Sequence, residues 1–328
     1  MLAPAVVAAT APAAVLQGSG KQPVAETTLR ASFISKDVPV DRARRILIGP
    51  DGNFYVLDSG NNRVVVLSPT GSLLRQISEV GQGPGELIDP YDLASDRQGN
   101  VFVIDSRNRV QGFSPQGEFL GAFGYQGECL ALAVNSRREF FLSLPERGSL
   151  VTVYGPTGDY RRSFGQLKGG DGAYRNVANR AHIFVTRSDE VYVSLDHQGV
   201  LQKYDAGGKL LWETAIPGEQ VERLRQIFWS ADLNKSKHGI ALTTSYSRIQ
   251  AFYVAFNVFY DEPRRQLYVP LNDGSIYVTD ANGKPVRFMK QPPGSVDFYN
   301  SVVVDGRGRV VATSVWRGVL QIAPAKPV

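Results

Sequence analysis

Apolar residues recur along this chain in short alternating runs, broken by polar turns. Residues 52–67 read GNFYVLDSGNNRVVVL and residues 99–113 read GNVFVIDSRNRVQGF. Each block is a turn, a strand-like run, an Asp-Ser/Asn-Arg turn and a second run. A third turn and a further run follow: SPTGSLLRQI at 68–77 and SPQGEFLGAF at 114–123. Pro presets φ near −65° and Gly supplies positive φ, so these turns carry their own mechanism. Another apolar run precedes each block, at 45–48 and 91–94, and Gly52 and Gly99 lie 47 residues apart. A fixed period of this length with four short runs is the signature of a repeat architecture.

Worn copies continue the pattern. The third reads REFFLSLPERGSLVTVY and then GPTGDYRRSF; the fourth is DEVYVSLDHQGVLQKYDAGGKLLWET at 189–214. The fifth is RQLYVPLNDGSIYVTDANGKPVRF at 265–288, and the sixth, GRVVATSVWRGVLQI, stops at 322. Their leading apolar runs fall at 130–134, 182–185, 254–259 and 301–304. Strands this short cannot each bury a face alone. Radial stacking of four-stranded sheets buries both faces and protects the edges. The expected fold is therefore all-β: a six-bladed β-propeller of four-stranded antiparallel blades, occupying residues 28–322. The sixth copy lacks a fourth run, and residues 28–35 are expected to supply it and close the ring.

Residues 217–247 break the period. Within them GEQVERLRQIFWSADL predicts a helix, with Val221, Leu224 and Phe228 on one face and Ile227 beside it. This helical insertion between blades four and five reads either as a cover over the central opening or as a strap along the side. The aromatic-rich stretch 246–260 reads as strands.

The blocks at 51–71 and 96–117 resemble NHL repeats. So does the segment between them, GQGPGELIDPYDLASD, with its Gly-rich loop followed by Pro and a short inner strand. The resemblance is clearest over residues 45–125 and is mainly architectural beyond 240. It implies a bacterial six-bladed propeller with a central channel. That family includes protein-binding and RNA-binding domains, an amidating lyase, and relatives of sugar-lactone hydrolases and strictosidine synthases. Fold alone does not choose among them. The Asp-Ser turn at Asp58 and Asp105 becomes Ser143-Leu144-Pro145, Leu195-Asp196-His197 and Leu271-Asn272-Asp273 in the later copies.

Composition narrows the function. The chain has 328 residues, 43% hydrophobic and 20% charged, with a net charge of +5. The arginines are scattered near turns, without the concentrated basic stripe of a nucleic-acid binder. No run is long and apolar enough for a transmembrane span. The first twenty residues, MLAPAVVAATAPAAVLQGSG, resemble the later part of an export signal, with an AxA-like run but no preceding positive region. Residues 1–27 are thus expected to be a signal-like or flexible segment, 323–328 a tail, and the protein secreted or periplasmic. The single cysteine, Cys129, sits in an apolar run; it excludes an intrachain disulfide and reads as a small core residue.

Aligned on the turn glycines, the inner strands start at Arg45, Asp92, Ala131, His182, about Val258, and Ser301. Inner-strand starts lie near a propeller's channel mouth. Asp92, His182 and Ser301 come from alternate blades, a trio suited to holding a cation. A single calcium or other divalent cation in the channel is one expectation; no cofactor is the other. In the amidating lyases of the resembled family, histidines from different blades hold zinc; here only His182, His197 and His238 are available. Arg63 and Arg109 are expected to clamp the turns after Asp58 and Asp105. The glycines of VGQGPGEL read as an interblade loop, since no phosphate-loop spacing or helix follows.

Two functions follow. The first is a noncatalytic propeller that binds a protein or glycan partner through a disc face. The second is a secreted lyase or hydrolase using a channel cation: Asp92 binds or orients the metal, His182 acts as ligand or base, and Arg45 holds an anionic substrate.

Overall fold

The computed structural model describes residues 24–33, 38–169, 172–230, 254–292, 294–295, 297–314 and 317–324. Blade one is β2 (Ala43–Ile48), β3 (Phe54–Asp58), β4 (Arg63–Leu67) and β5 (Leu73–Ile77). Blade two is β6 (Asp92–Ser95), β7 (Val101–Asp105), β8 (Arg109–Phe113) and β9 (Phe119–Gly124). Blade three is β10 (Leu132–Val134), β11 (Phe140–Leu142), β12 (Val151–Tyr154) and β13 (Tyr160–Phe164). Blade four is β14 (Ala181–Val185), β15 (Val191–Leu195), β16 (Val200–Tyr204) and β17 (Leu210–Ala215). Blade five is β18 (Phe259–Asp261), β19 (Gln266–Pro270), β20 (Ile276–Asp280) and β21 (Pro285–Lys290). Blade six contributes β22 (Tyr299–Val304), β23 (Val310–Ser314) and β24 (Gly318–Pro324). Its fourth strand is β1 (Ala25–Phe33), antiparallel to β24 with Leu29 opposite Pro324 and Phe33 opposite Leu320. The architecture is the six-bladed propeller with four-stranded blades.

β1 does more than complete blade six. Its first half, Ala25 to Thr28, pairs in parallel with β21 across Arg287 to Lys290. One nine-residue strand therefore joins the outer edges of blades five and six into a continuous eight-stranded sheet. Both edges gain backbone partners they would otherwise lack.

The hydrophobic material lies between blades. Six clusters of buried residues are found among the described residues, one at each seam. Between blades one and two, Tyr55, Leu57 and Val66 meet Leu93, Val103 and Phe113. This explains the pattern of the strands. The second strands are buried on both faces, as in FYVLD and VFVID, so they read as nearly continuous apolar runs. The outer strands face solvent on one side and alternate.

Turn chemistry repeats where the letters change. At the first hairpin of blades two, three and six, the side-chain oxygens of Asp96, Asn135 and Asp305 each accept two backbone N–H groups at 2.8–3.0 Å. The left-handed position of that turn is glycine at Gly52, Gly99 and Gly308. It is Arg138, Asp189 and Arg265 in blades three to five, at φ 53° to 63°. The late copies keep the conformation without the residue that makes it easy, which is why their glycine signal fades.

Blade five departs from the expectation of an inner strand over 254–259. Residue 255 makes only an isolated bridge to Leu271, and β18 starts at Phe259. The Asn257 side chain accepts the Val258 N–H at 2.6 Å, a local bond that competes with the ladder. The insertion begins as α2 (Glu219–Ser230). Val221 and Leu224 are buried in the seam between blades four and five with Ile216, Val254 and Leu271. Arg225 Nε donates to the Gln198 carbonyl at 2.9 Å. The described start of the insertion is thus a strap against the seam. Residues 231–253, with His238 and the aromatics of 246–253, lie outside the described residues, as do 1–23.

Candidate functional site: the upper end of the channel

Strand registers place the candidate residues on one level. Arg45, Asp92, His182 and Ser301 each stand three positions before the final residue of their inner strand. Those final residues, Ile48, Ser95, Val185 and Val304, pair with Phe54, Val101, Val191 and Val310. We call the face where the inner strands begin the upper face. The four residues come from blades one, two, four and six.

Arg45 dominates this level. Its Nε lies 3.4 Å from Asp92 Oδ1 on the neighbouring blade. Its Nη1 donates to Asn257 Oδ1, reaching past blade six to blade five. Both Arg45 and Asp92 are buried, at 9% and 4% exposure. The carboxylate of Asp92 also accepts the Leu93 N–H at 2.9 Å and the Leu132 N–H at 2.8 Å. Its oxygens are thus engaged by blades one, two and three. Burial pushes the Asp92 pKa up, against the pull of Arg45 and the two backbone donors.

His182 meets a different partner. Its Nε2 is 3.5 Å from Asp196 Oδ1, at the end of the adjacent strand of its own blade. Burial, with the positive field of Arg45 added, pushes the imidazole pKa down to about 3. Burial raises Asp196 well above the usual carboxylate range, with Arg180 opposing. Ser301 Oγ accepts the Ile46 N–H at 3.4 Å, a bond from blade six to blade one. The structure therefore brings Arg45 together with Asp92, and His182 together with Asp196. It does not gather Asp92, His182 and Ser301 around a common point: Asp92 and Ser301 are hydrogen-bonded within the protein, whereas His182 Nδ1 and Asp196 Oδ1 are buried without a hydrogen-bond partner among the described residues. No group of three His, Cys, Asp or Glu side chains suited to a metal occurs among the described residues. His197 is fully buried in the blade-four turn.

Two residues of this site escape the repeat pattern. Asn257 precedes its strand and belongs to the irregular fifth copy, so no alignment on turns singles it out. Asp196 stands one place beyond Leu195, which is the residue of blade four equivalent to Asp58 and Asp105, so the shared turn position does not find it either. The earlier two have become clamps: Arg63 Nε reaches Asp58 at 2.7 Å and Arg109 Nε reaches Asp105 at 2.9 Å. Blade four has Val200 after its turn and no such arginine. Cys129 is buried, its thiol donating to the Ala131 carbonyl at 3.2 Å, and burial pushes its pKa up to about 12. It is a core residue. In the glycine loop, Glu86 Oε2 accepts the Gly83 N–H at 2.7 Å and Gln111 Oε1 the Gly85 N–H at 3.0 Å, tying the loop to blade two.

Below Arg45 the channel opens into a cavity of about 1060 Å³ that runs to the lower face. Its walls carry aliphatic residues, among them Ile48, Val134 and Val185. Its lower rim includes Arg97, Arg187 and Glu262 from the first hairpins of blades two, four and five.

Residues 32–134 match the family DUF5128, described as a 6-bladed beta-propeller. Three solved structures share the fold. A Bacteroides fragilis protein described as exported aligns with TM-score 0.59 at 14% identity, over 92% of this chain and 99% of its own. A streptogramin B lyase aligns with TM-score 0.56 at 9% identity, over 90% and 98%. A catalytically inactive virginiamycin B lyase from Staphylococcus aureus, solved with quinupristin, aligns with TM-score 0.53 at 11% identity, over 85% and 80%. At these identities the likeness is one of fold.

Proposed function

We propose that this chain is an exported, noncatalytic propeller of the NHL type that binds a protein or glycan partner through a disc face. The observation that carries the reading is the internal engagement of the upper channel groups. Asp92 is held by one guanidinium and two backbone N–H groups. An imidazole with its pKa near 3 is a poor proton acceptor at neutral pH. Arg45 is already shared between a carboxylate and an amide. Export is supported by the signal-like first twenty residues and by the exported Bacteroides relative in fold. No helix among the described residues is long and apolar enough to cross a membrane.

The competing reading, a secreted lyase or hydrolase with a channel cation, requires Arg45 to leave Asp92, since a guanidinium and a divalent cation compete for the same oxygens. Thermal unfolding with millimolar calcium, magnesium or zinc separates the two. The binding reading expects the melting temperature to move equally little in the wild type and in Asp92→Asn. A cation that binds the native state far below its working concentration adds roughly 3 kcal/mol or more. Such a shift in the wild type, lost in Asp92→Asn, would establish the cation-using reading instead.

A further inference from the structure

We propose that the lower half of the channel is a binding cavity for an amphiphilic organic acid: a single carboxylate on an unbranched apolar chain. This goes beyond the disc-face reading, because it concerns the bore and a small molecule.

The cavity has one wide mouth and a polar ceiling. Its lining begins at the level of Arg45 and Val258 and ends at the first-hairpin turns of the lower face. Upward, Arg45 crosses between blades one, two and five and occupies the bore. From the Ile48 level to Arg45 is three residues of strand, or roughly 10 Å. Along that length the side chains reaching the cavity include Ile48, Val134, Val185 and Phe184, all partly exposed. At the level where the inner strands end, blades one, three and four present Ile48, Val134 and Val185 while blades two and five present Ser95 and Asp261, and the aliphatic arc favours an apolar guest. The volume, about 1060 Å³, lies just above the range of small-molecule sites, roughly 300–1,000 Å³.

The mouth has the opposite character. Arg97 and Arg187 stand at the same turn position of blades two and four, and both are exposed. The Arg97 guanidinium donates to the Arg187 carbonyl, which brings the two turns together across the rim. Arg307, one position further along the first hairpin of blade six, is exposed beside the rim and does not line the cavity. Three of the four acids that line the rim are ion-paired. Asp96 pairs with Arg138 at 2.9 Å, Asp261 with Arg264 at 2.9 Å and Asp305 with Arg309 at 2.7 Å. Glu262 accepts the Arg187 backbone N–H. The side chains of Arg97, Arg187 and Arg307 have no acidic partner of this kind among the described residues. Arginine binds carboxylate through a planar pair of donors. A carboxylate head at the rim with its chain in the bore satisfies both regions, whereas a neutral or cationic head satisfies only the lower wall.

Isothermal titration of the full chain with decanoate, below its micellar concentration, tests the inference. Decanol and decyltrimethylammonium are the chain-matched controls. The expected result is one decanoate per chain, bound at least tenfold more tightly than either control. Arg97→Gln combined with Arg187→Gln weakens decanoate about tenfold and leaves decanol unchanged. Unfolding of the unliganded variant within about 2 °C of the wild type certifies its fold. Equal binding of all three probes, several decanoates per chain, or no binding by the wild type would overturn the proposal. None of these results bears on the disc face, which decanoate does not probe.

Discussion

His182 shows how burial decides what a residue can do. In the sequence it is the one histidine on the channel level and reads as a ligand or base. In the structure it sits 3.5 Å from a carboxyl whose own pKa is raised, under the field of Arg45. Its pKa near 3 lies below the unfolded value of about 6.5, so the folded chain takes up its proton later than the unfolded chain as pH falls. Stability held above pH 6.5 is therefore lost between about 6.5 and 3. The slope approaches roughly 1.4 kcal/mol per pH unit. The raised carboxyls of Asp92 and Asp196 act in the other direction, so the comparison must be between proteins. Denaturant unfolding from pH 6 to pH 4 should show the wild type losing more stability than His182→Gln by about that slope. Parallel pH profiles would mean that the imidazole titrates normally. The position of His182 on the channel level was legible from repeat spacing. Its partner was not, because pairing with Asp196 depends on the lateral neighbour within a blade.

At the scale of elements, the blades are fitted together by a contact the turns already announce. In blades two to five the glycine of the third turn faces the outer strand of the preceding blade. A Cβ on Gly158 would lie 2.5 Å from Phe123, and one on Gly208 would lie 2.6 Å from Phe164. Both glycines have positive φ, 84° and 92°. Phe164 in turn stacks on Tyr204 with ring centroids 5.0 Å apart, so the contact cannot yield by a small side-chain rotation. Gly208→Ala should destabilise the protein by about 2–4 kcal/mol, from backbone strain and overpacking together. A chemical denaturation midpoint unchanged by Gly208→Ala would show that the seam is loose. Strand order and turn type were readable because period and turn glycines are local signals. The seam was not, since a turn glycine does not say which distant side chain it will meet, 35 positions away for Gly158 and 44 for Gly208. The inner strand of blade five was also misplaced: the backbone N–H groups of Val254 and Ala255 donate to the Asp196 carbonyl of blade four instead of joining a ladder in their own blade.

For the whole molecule, closure and channel are the two consequences of arranging six such units in a ring. β1 fastens blade six to blade five from outside. Arg45, Asp92, Ser301 and Asn257 fasten blades one, two, five and six from inside, near the axis. Six-fold order was visible in the sequence, and so was the level of the channel residues. What the sequence left open was whether those residues face a guest or each other. That is decided by side-chain length: Arg45 is long enough to reach past one blade, whereas Ser301 reaches only its neighbour. The result is a ring whose upper bore is occupied by its own side chains and whose lower bore is open.

The central claim is that Arg45 and Asp92 form a structural pair rather than two halves of a reactive site. A double-mutant cycle with Arg45→Met, Asp92→Asn and the two combined, read as unfolding free energy, tests it most directly. Breaking a buried pair from one side leaves an uncompensated charge and costs about 3–5 kcal/mol, whereas removing both partners costs far less. The expected result is a double variant markedly more stable than the sum of the single changes predicts, with a coupling of about 3 kcal/mol or more. Strictly additive single changes would mean that the two side chains do not depend on each other, and would contradict the account.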